Sequence, residues 1–190
     1  MKKNVWGIIL CVVLWAVGLP VMAGEKAPPS MENLANTQLT NYGTDPIIIE
    51  AVRAQNAQGK PLKQIRKLDE KWKRTPGVAD FMKTLITSKC GKHLGKIQRN
   101  AGYFAEIFVM DNQGANVAMT FKTSDYWQGD EDKFIRSYND GMGGIHISDV
   151  EFDDSAQAYL VQVSIPVKDG EKVIGAITFG IDLDAFEKKK

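Results

Sequence analysis

Near residue 100 the apolar residues of this chain change their spacing, and that change constrains the fold more than any other feature. Before it they recur three and four positions apart; after it they alternate. The first spacing lines one face of a helix, and the second lines one face of a strand. Helices followed by a run of strands predict an α+β chain, with the helices laid on an antiparallel sheet.

In the helical half, Asp45-Pro46 pairs an N-cap residue with a proline suited to the first helical position. Ile47, Ile48, Ala51 and Val52 form the apolar side of that helix, and Gly59 ends it. After Pro61, the residues Leu62, Ile65, Leu68 and Trp72 keep the helical period between lysines and arginines. Thr75-Pro76 repeats the cap-then-proline signal. Val78, Met82, Leu85, Ile86, Leu94 and Ile97 then carry the pattern to about residue 99, with Gly91 and Gly95 weakening it. Residues 24–43 are polar, hold Pro28-Pro29, and read as a flexible leader.

In the second half, 103–110 and 115–121 flank the turn Asp111-Asn112-Gln113-Gly114 and read as a hairpin. A polar, aromatic stretch with four glycines, 123–144, follows; Asp130 is a candidate cap for a short helix within it, running through Tyr138. Strands are predicted over 145–152, 156–167 and 172–182, which makes five in all. In the fourth, Tyr159, Val161, Val163, Ile165 and Val167 share one face, which needs the N-terminal helices as a cover. Leu160, Gln162 and Ser164 share the other, a mixture typical of ligand-facing surfaces.

The N-terminus carries Lys2 and Lys3, an apolar run, Pro20 and a Val-x-Ala ending at Ala23. This reads as a signal peptide over 1–23 cleaved after Ala23, which predicts a periplasmic or secreted protein. An uncleaved membrane anchor is the alternative. Cys90 is then the one cysteine of the mature chain, so no intrachain disulfide forms. The chain is nearly neutral, with 24 basic and 23 acidic residues, which argues against a nucleic-acid protein. The charge is unevenly spread, however. From Arg53 to Arg99 there are 13 Lys or Arg against three acids, and from Asn100 onward 16 acids against eight bases. Such a split reads as a solvated basic helical face, or as a docking face for an acidic partner or lipid headgroup.

The order of these pieces resembles the Cache family of extracytoplasmic sensor domains, which are PAS-like in fold. The resemblance rests on Phe108-Val109-Met110-Asp111-Asn112-Gln113-Gly114, Ile147-Ser148-Asp149, Val163-Ser164-Ile165-Pro166-Val167, and Val173-Ile174-Gly175 leading to Gly180-Ile181-Asp182-Leu183. It covers roughly residues 103–186. It implies one sensor domain over 44–188, with helices in 46–99 and the sheet in 103–182. It also implies a small metabolite bound on one sheet face, under a roof made by 123–144. Relatives are usually the outer part of a membrane receptor; here no second apolar run or output domain follows, which implies a signal handed to a separate partner, or a free-standing binding protein. In amino-acid-binding relatives an Asp of the last strand holds the ligand amine, and an Arg before the aromatic pair of the roof holds the carboxylate. The matching positions here are Gly180 and Asp125, which puts amino-acid binding in doubt.

Tyr126, Trp127, Lys133, Arg136, His146, Ser148, Gln162 and Thr178 are the candidate ligand-binding residues. Tyr126 and Trp127 either wall a pocket or plug the core. Lys133 and Arg136 either meet an anionic ligand or line a solvated helix face. His146, beside Ser148, either contacts ligand or packs with a hydrogen-bonded partner. Gln162, Ser164 and Thr178 are polar groups on otherwise buried strands, and need partners from ligand, backbone or water. Cys90-Gly91-Lys92-His93 offers two metal ligands at most, too few for a structural zinc site. No metal or cofactor is expected. The chain lacks nucleophile-elbow, phosphate-loop and His-Glu-x-x-His signatures, so a non-enzymatic binding module is expected. A small organic acid is the first ligand expected, and a homodimer is one option for its assembly. The rival reading is a ligand-free interaction module that docks on a membrane receptor.

Overall fold

The computed structural model describes residues 24–154 and 156–189. The expected signal peptide lies outside these residues.

The polar 24–43 stretch, expected as a loose leader, is folded. Pro29 opens α1 (Pro29–Thr37), and a 3-10 turn follows over Leu39–Thr44. Met31, Leu34, Ala35 and Leu39 keep the helical spacing within polar surroundings and are buried in the main core. Next comes α2 (Pro46–Asn56), where the Asp45 Oδ1 accepts from the backbone N–H of Ile47 at 2.8 Å and of Ile48 at 3.3 Å. The other Asp45 oxygen, Oδ2, lies 2.8 Å from His93 Nε2, so one carboxylate caps α2 and ties it to a later helix.

Helix α3 (Leu62–Arg74) ends just before Thr75-Pro76, but no helix begins at that signal. Thr75 donates its hydroxyl back to the Lys71 carbonyl, and Gly77 takes a left-handed φ of 62°. α4 (Asp80–Thr87) therefore starts after this turn. Ser88 breaks the expected continuous helix. Its Oγ accepts from the Gly91 N–H at 2.9 Å and starts α5 (Lys89–Ala101), which ends at Gly102 in the left-handed region.

The strands are β1 (Phe104–Met110), β2 (Asn116–Met119), β3 (His146–Ile147), β4 (Glu151–Asp153), β5 (Ala158–Asp169) and β6 (Lys172–Asp182). α6 (Asp132–Tyr138) lies between β2 and β3, and α7 (Leu183–Glu187) follows β6. The expected third strand is split into β3 and β4, which both pair with β5. The sheet order is β2-β1-β6-β5-β3, and every pairing is antiparallel. The architecture is α+β.

Both sheet faces carry apolar cores. Ile107, Val109, Val161, Val163, Ile165, Ile177 and Phe179 pack with side chains of α1, α2 and α5. On the opposite face Phe108, Met110, Met119 and Ala176 pack with Ile65 and Trp72 of α3, Met82 of α4 and Phe134 of α6. The alternation of β1 supplies both cores from one strand.

Candidate functional site

Register places a row of polar side chains on the second sheet face. His146 stands opposite Ser164, and Ser164 opposite Thr178. One pair along, Gln162 stands opposite Gly180, and Gly180 opposite Glu106. Over the β3 end of this row lies α6, held there by Phe134 in the second core.

Between α6 and the row is a cavity of about 400 Å³, lined among others by Lys133, Arg136, His146, Ser148 and Gln162. These are five of the eight residues expected from the sequence. Lys133 and Arg136 are three apart on α6, a spacing that puts both on one side of the helix. The cavity also takes Lys26, Glu131, Asp132, Asp149 and Glu151, none of which was among the expected ligand-binding residues. Lys26 reaches it because Gly24 donates to the Val150 carbonyl and Val150 donates to the Glu25 carbonyl, each at 2.7 Å. That pairing lays the start of the described chain beside β3 and β4.

Each cation of the cavity faces a carboxylate. Lys26 Nζ lies 2.9 Å from Asp149, Lys133 Nζ 2.9 Å from Glu131, and Arg136 2.8 Å from Asp132. The Arg136–Asp132 pair is 62% and 60% exposed, and exposed pairs contribute only about 0–1 kcal/mol. The Lys133–Glu131 pair is more enclosed, at 16% and 33% exposure, and is the firmer of the two.

His146 has its pKa lowered from the ordinary histidine range, first by burial and then by Arg136. The shift favours the neutral ring. The Ser148 hydroxyl donates to the Asp149 carbonyl at 2.7 Å and accepts from the Gln162 N–H at 2.9 Å. It fixes the turn after β3 to β5. The Gln162 Nε2 donates to Glu106 Oε1 at 3.1 Å, which orients the amide. Burial raises the Glu106 pKa above the usual carboxylate range.

Tyr126, Trp127 and Thr178 are not among the residues that line this cavity. Tyr126 is buried against Trp72, with ring centroids 5.6 Å apart, and burial pushes its phenol up to about 12. Trp127 donates its indole N–H to the Gln113 carbonyl at 2.7 Å and lies under the Arg66 guanidinium, 4.6 Å away. Thr178 Oγ1 and Ser164 Oγ are 2.8 Å apart and fully buried, so the two hydroxyls satisfy each other. The roof segment is thus divided: its first part joins the second core, and its second part, α6, covers the cavity. Asp69 of α3 anchors that first part. Its Oδ1 accepts from the N–H of Tyr126 at 2.8 Å and of Trp127 at 3.1 Å, while Oδ2 meets Lys73 Nζ at 2.8 Å. Lys73 also reaches Asp125 at 3.0 Å, so an acid before the aromatic pair is part of the clamp. Cys90 is buried within the main core, and burial pushes its thiol up to about 12.

This chain is similar to solved sensor domains. One is the ligand-binding domain of the Campylobacter jejuni chemoreceptor Tlp3 in complex with 4-methylisoleucine, at 14% identity and a TM-score of 0.43. The match covers 85% of this chain and 66% of that one. Another is the sensor domain of the V. cholerae histidine kinase DctB, at 14% identity, a TM-score of 0.37, and 84% and 59% coverage. An extracellular ligand binding receptor from Desulfohalobium retbaense matches at 14% identity and a TM-score of 0.40, over 75% of this chain and 25% of that one. The chain thus spans under two thirds of the length of each. No family model and no curated protein matches it. No helix among the described residues is long and apolar enough to cross a membrane.

Proposed function

We propose that the chain is a periplasmic sensor module of the single-Cache kind, which binds a small organic acid under α6 and passes the signal to a separate partner. The observation that carries this reading is the convergence of Lys133, Arg136, His146, Ser148 and Gln162, from three parts of the sequence, around one cavity of about 400 Å³. That volume suits a small metabolite. Arg136 supplies a planar fork for a carboxylate, and Lys133 a second positive charge. His146 and the Gln162 amide supply hydrogen bonds that fix orientation. Binding, with no covalent step, is what this set of groups supports.

The test is a thermal-shift screen of the purified protein against small carboxylates, amines, amino acids and purines, followed by titration calorimetry. A carboxylate hit is expected, and a ligand at one hundred times its Kd stabilises the fold by about 2.7 kcal/mol. Arg136→Ala should weaken that hit about tenfold or more while the protein still melts cooperatively. A screen blank for every carboxylate would sink the organic-acid reading.

The second reading, a docking module, is supported by α3, where Leu62 is exposed beside Lys63, Arg66 and Lys67. Under it, a pull-down retains a partner that is lost on replacing Lys63 and Lys67 by Glu, while the ligand screen stays blank.

A further inference from the structure

A second cavity, of about 530 Å³, opens on the same sheet face one residue pair beyond Gln162. Its walls are Val78, Ala105, Phe121 and Leu160. Phe121 and Val78 are 60% and 42% exposed, and neither belongs to the two cores. Carboxylates stand among these apolar walls: Glu106, with Asp153 and Asp182 beside it. The one basic residue of the lining, Lys122, donates its ammonium group to the Thr75 carbonyl at 2.7 Å.

Glu106 has room here because residue 180 is glycine. A β-carbon at Gly180 would come within 2.7 Å of Glu106 Cγ. The carboxylate accepts from Gln162 at 3.1 Å, whereas an ionised carboxylate offers about four acceptor positions. A charge enclosed in this way is costly unless a cation meets it. Gln162 lines the first cavity and holds Glu106 in the second, so the two cavities share a wall.

We infer that this second cavity binds a small organic ammonium ion, its charge on Glu106 and its apolar arm between Phe121 and Val78. A bare metal ion would gain nothing from the apolar walls, and an anion would meet three carboxylates. The site is separate from the carboxylate site under α6 and does not rest on it.

The test uses 2-phenylethylammonium as probe, and 2-phenylethanol as its uncharged counterpart. Calorimetry on the full chain should show saturable binding of the ammonium ion, with the alcohol at least tenfold weaker. Glu106→Gln, which keeps the shape and removes the charge, should weaken the ammonium ion at least tenfold. Phe121→Ser, at an exposed position outside both cores, should weaken it severalfold and leave Tm unchanged. The inference is overturned if ammonium ion and alcohol bind alike, if neither binds, or if both variants bind the ammonium ion as the parent does. Amide chemical-shift changes confined to α6 and His146, with none at Glu106 or Phe121, would overturn it too.

Discussion

Glu106 holds its carboxyl group against Gly180, with Gln162 as hydrogen-bond donor. Burial raises its pKa first of all; the Gln162 bond and Lys133 oppose that, and Asp153 and Glu131 add to it. A carboxyl whose folded pKa lies above its unfolded value binds more protons in the folded state, so stability falls as pH rises through that window. Glu106→Gln is therefore expected to raise Tm at pH 7 and to lose that advantage near pH 4, as melting curves across pH would report. His146 has the opposite balance. Its folded pKa is lowered, so the stability it supports is full above the ordinary histidine pKa and is lost as pH falls. Arg136 is the second cause of that shift, and Arg136→Ala should move the His146 titration upward in an NMR pH series. An unmoved midpoint would mean that the guanidinium does not face the ring. Asp69 is buried and holds two backbone N–H groups and Lys73. Asp69→Ala leaves all three without that partner and should cost about 3 kcal/mol in denaturant unfolding. A loss under about 0.5 kcal/mol, the level of an ordinary surface change, would rule out the clamp.

At the scale of elements, α1 and α6 are both held by what they pack on, α1 by the main core and α6 by the second. α1 buries Met31, Leu34 and Ala35, whose spacing was present in a stretch that composition marked as loose. Leu34 is 2% exposed, and Leu34→Ala should cost about 2–5 kcal/mol, which chemical denaturation measures. A neutral result would show that α1 is not docked. α6 is short, seven residues, and is held by what it packs on: Phe134 in the second core and Tyr138 stacked on Phe134 at 5.1 Å. Asn139 and Asp140 then take φ near 50°, in the left-handed region that Asn and Asp tolerate better than other non-glycine residues. This sharp exit turns the chain from α6 back to β3 and brings His146 beneath the helix.

For the whole molecule, the two cores are not independent units. β1 gives Ile107 and Val109 to one and Phe108 and Met110 to the other, and β6 gives Ile177 and Phe179 to one and Ala176 to the other. Unfolding either core removes the strands that the other needs. Far-UV circular dichroism and tryptophan fluorescence, the latter reporting Trp72 in the second core and Trp127 packed against it, should therefore give one coincident transition. Two separate midpoints would contradict this coupling.

Periodicity made the α+β class legible, together with α2, the strands of the second half and the apolar face of β5. Those features are local: a spacing of side chains or a cap within one turn of its helix. Lys133, Arg136, His146, Ser148 and Gln162 were legible as polar groups on or beside strands and a short helix. That they meet was decided by the strand register and by the fit of α6 on the sheet. The division of the roof was decided in the same way, because Asp69 and Trp72 of α3 bind its first part, and nothing near Tyr126 in sequence announces them. Lys26 enters the first cavity through a pairing with Val150, more than a hundred residues away. The sequence by itself determined the helical first half, the extended second half and most of their elements, since those preferences act over a few residues; α1, the break at Ser88 and the split of β3 from β4 were not legible in it. Only the tertiary structure decided which side chains share a cavity, since packing joins residues whose separation along the chain carries no local signal.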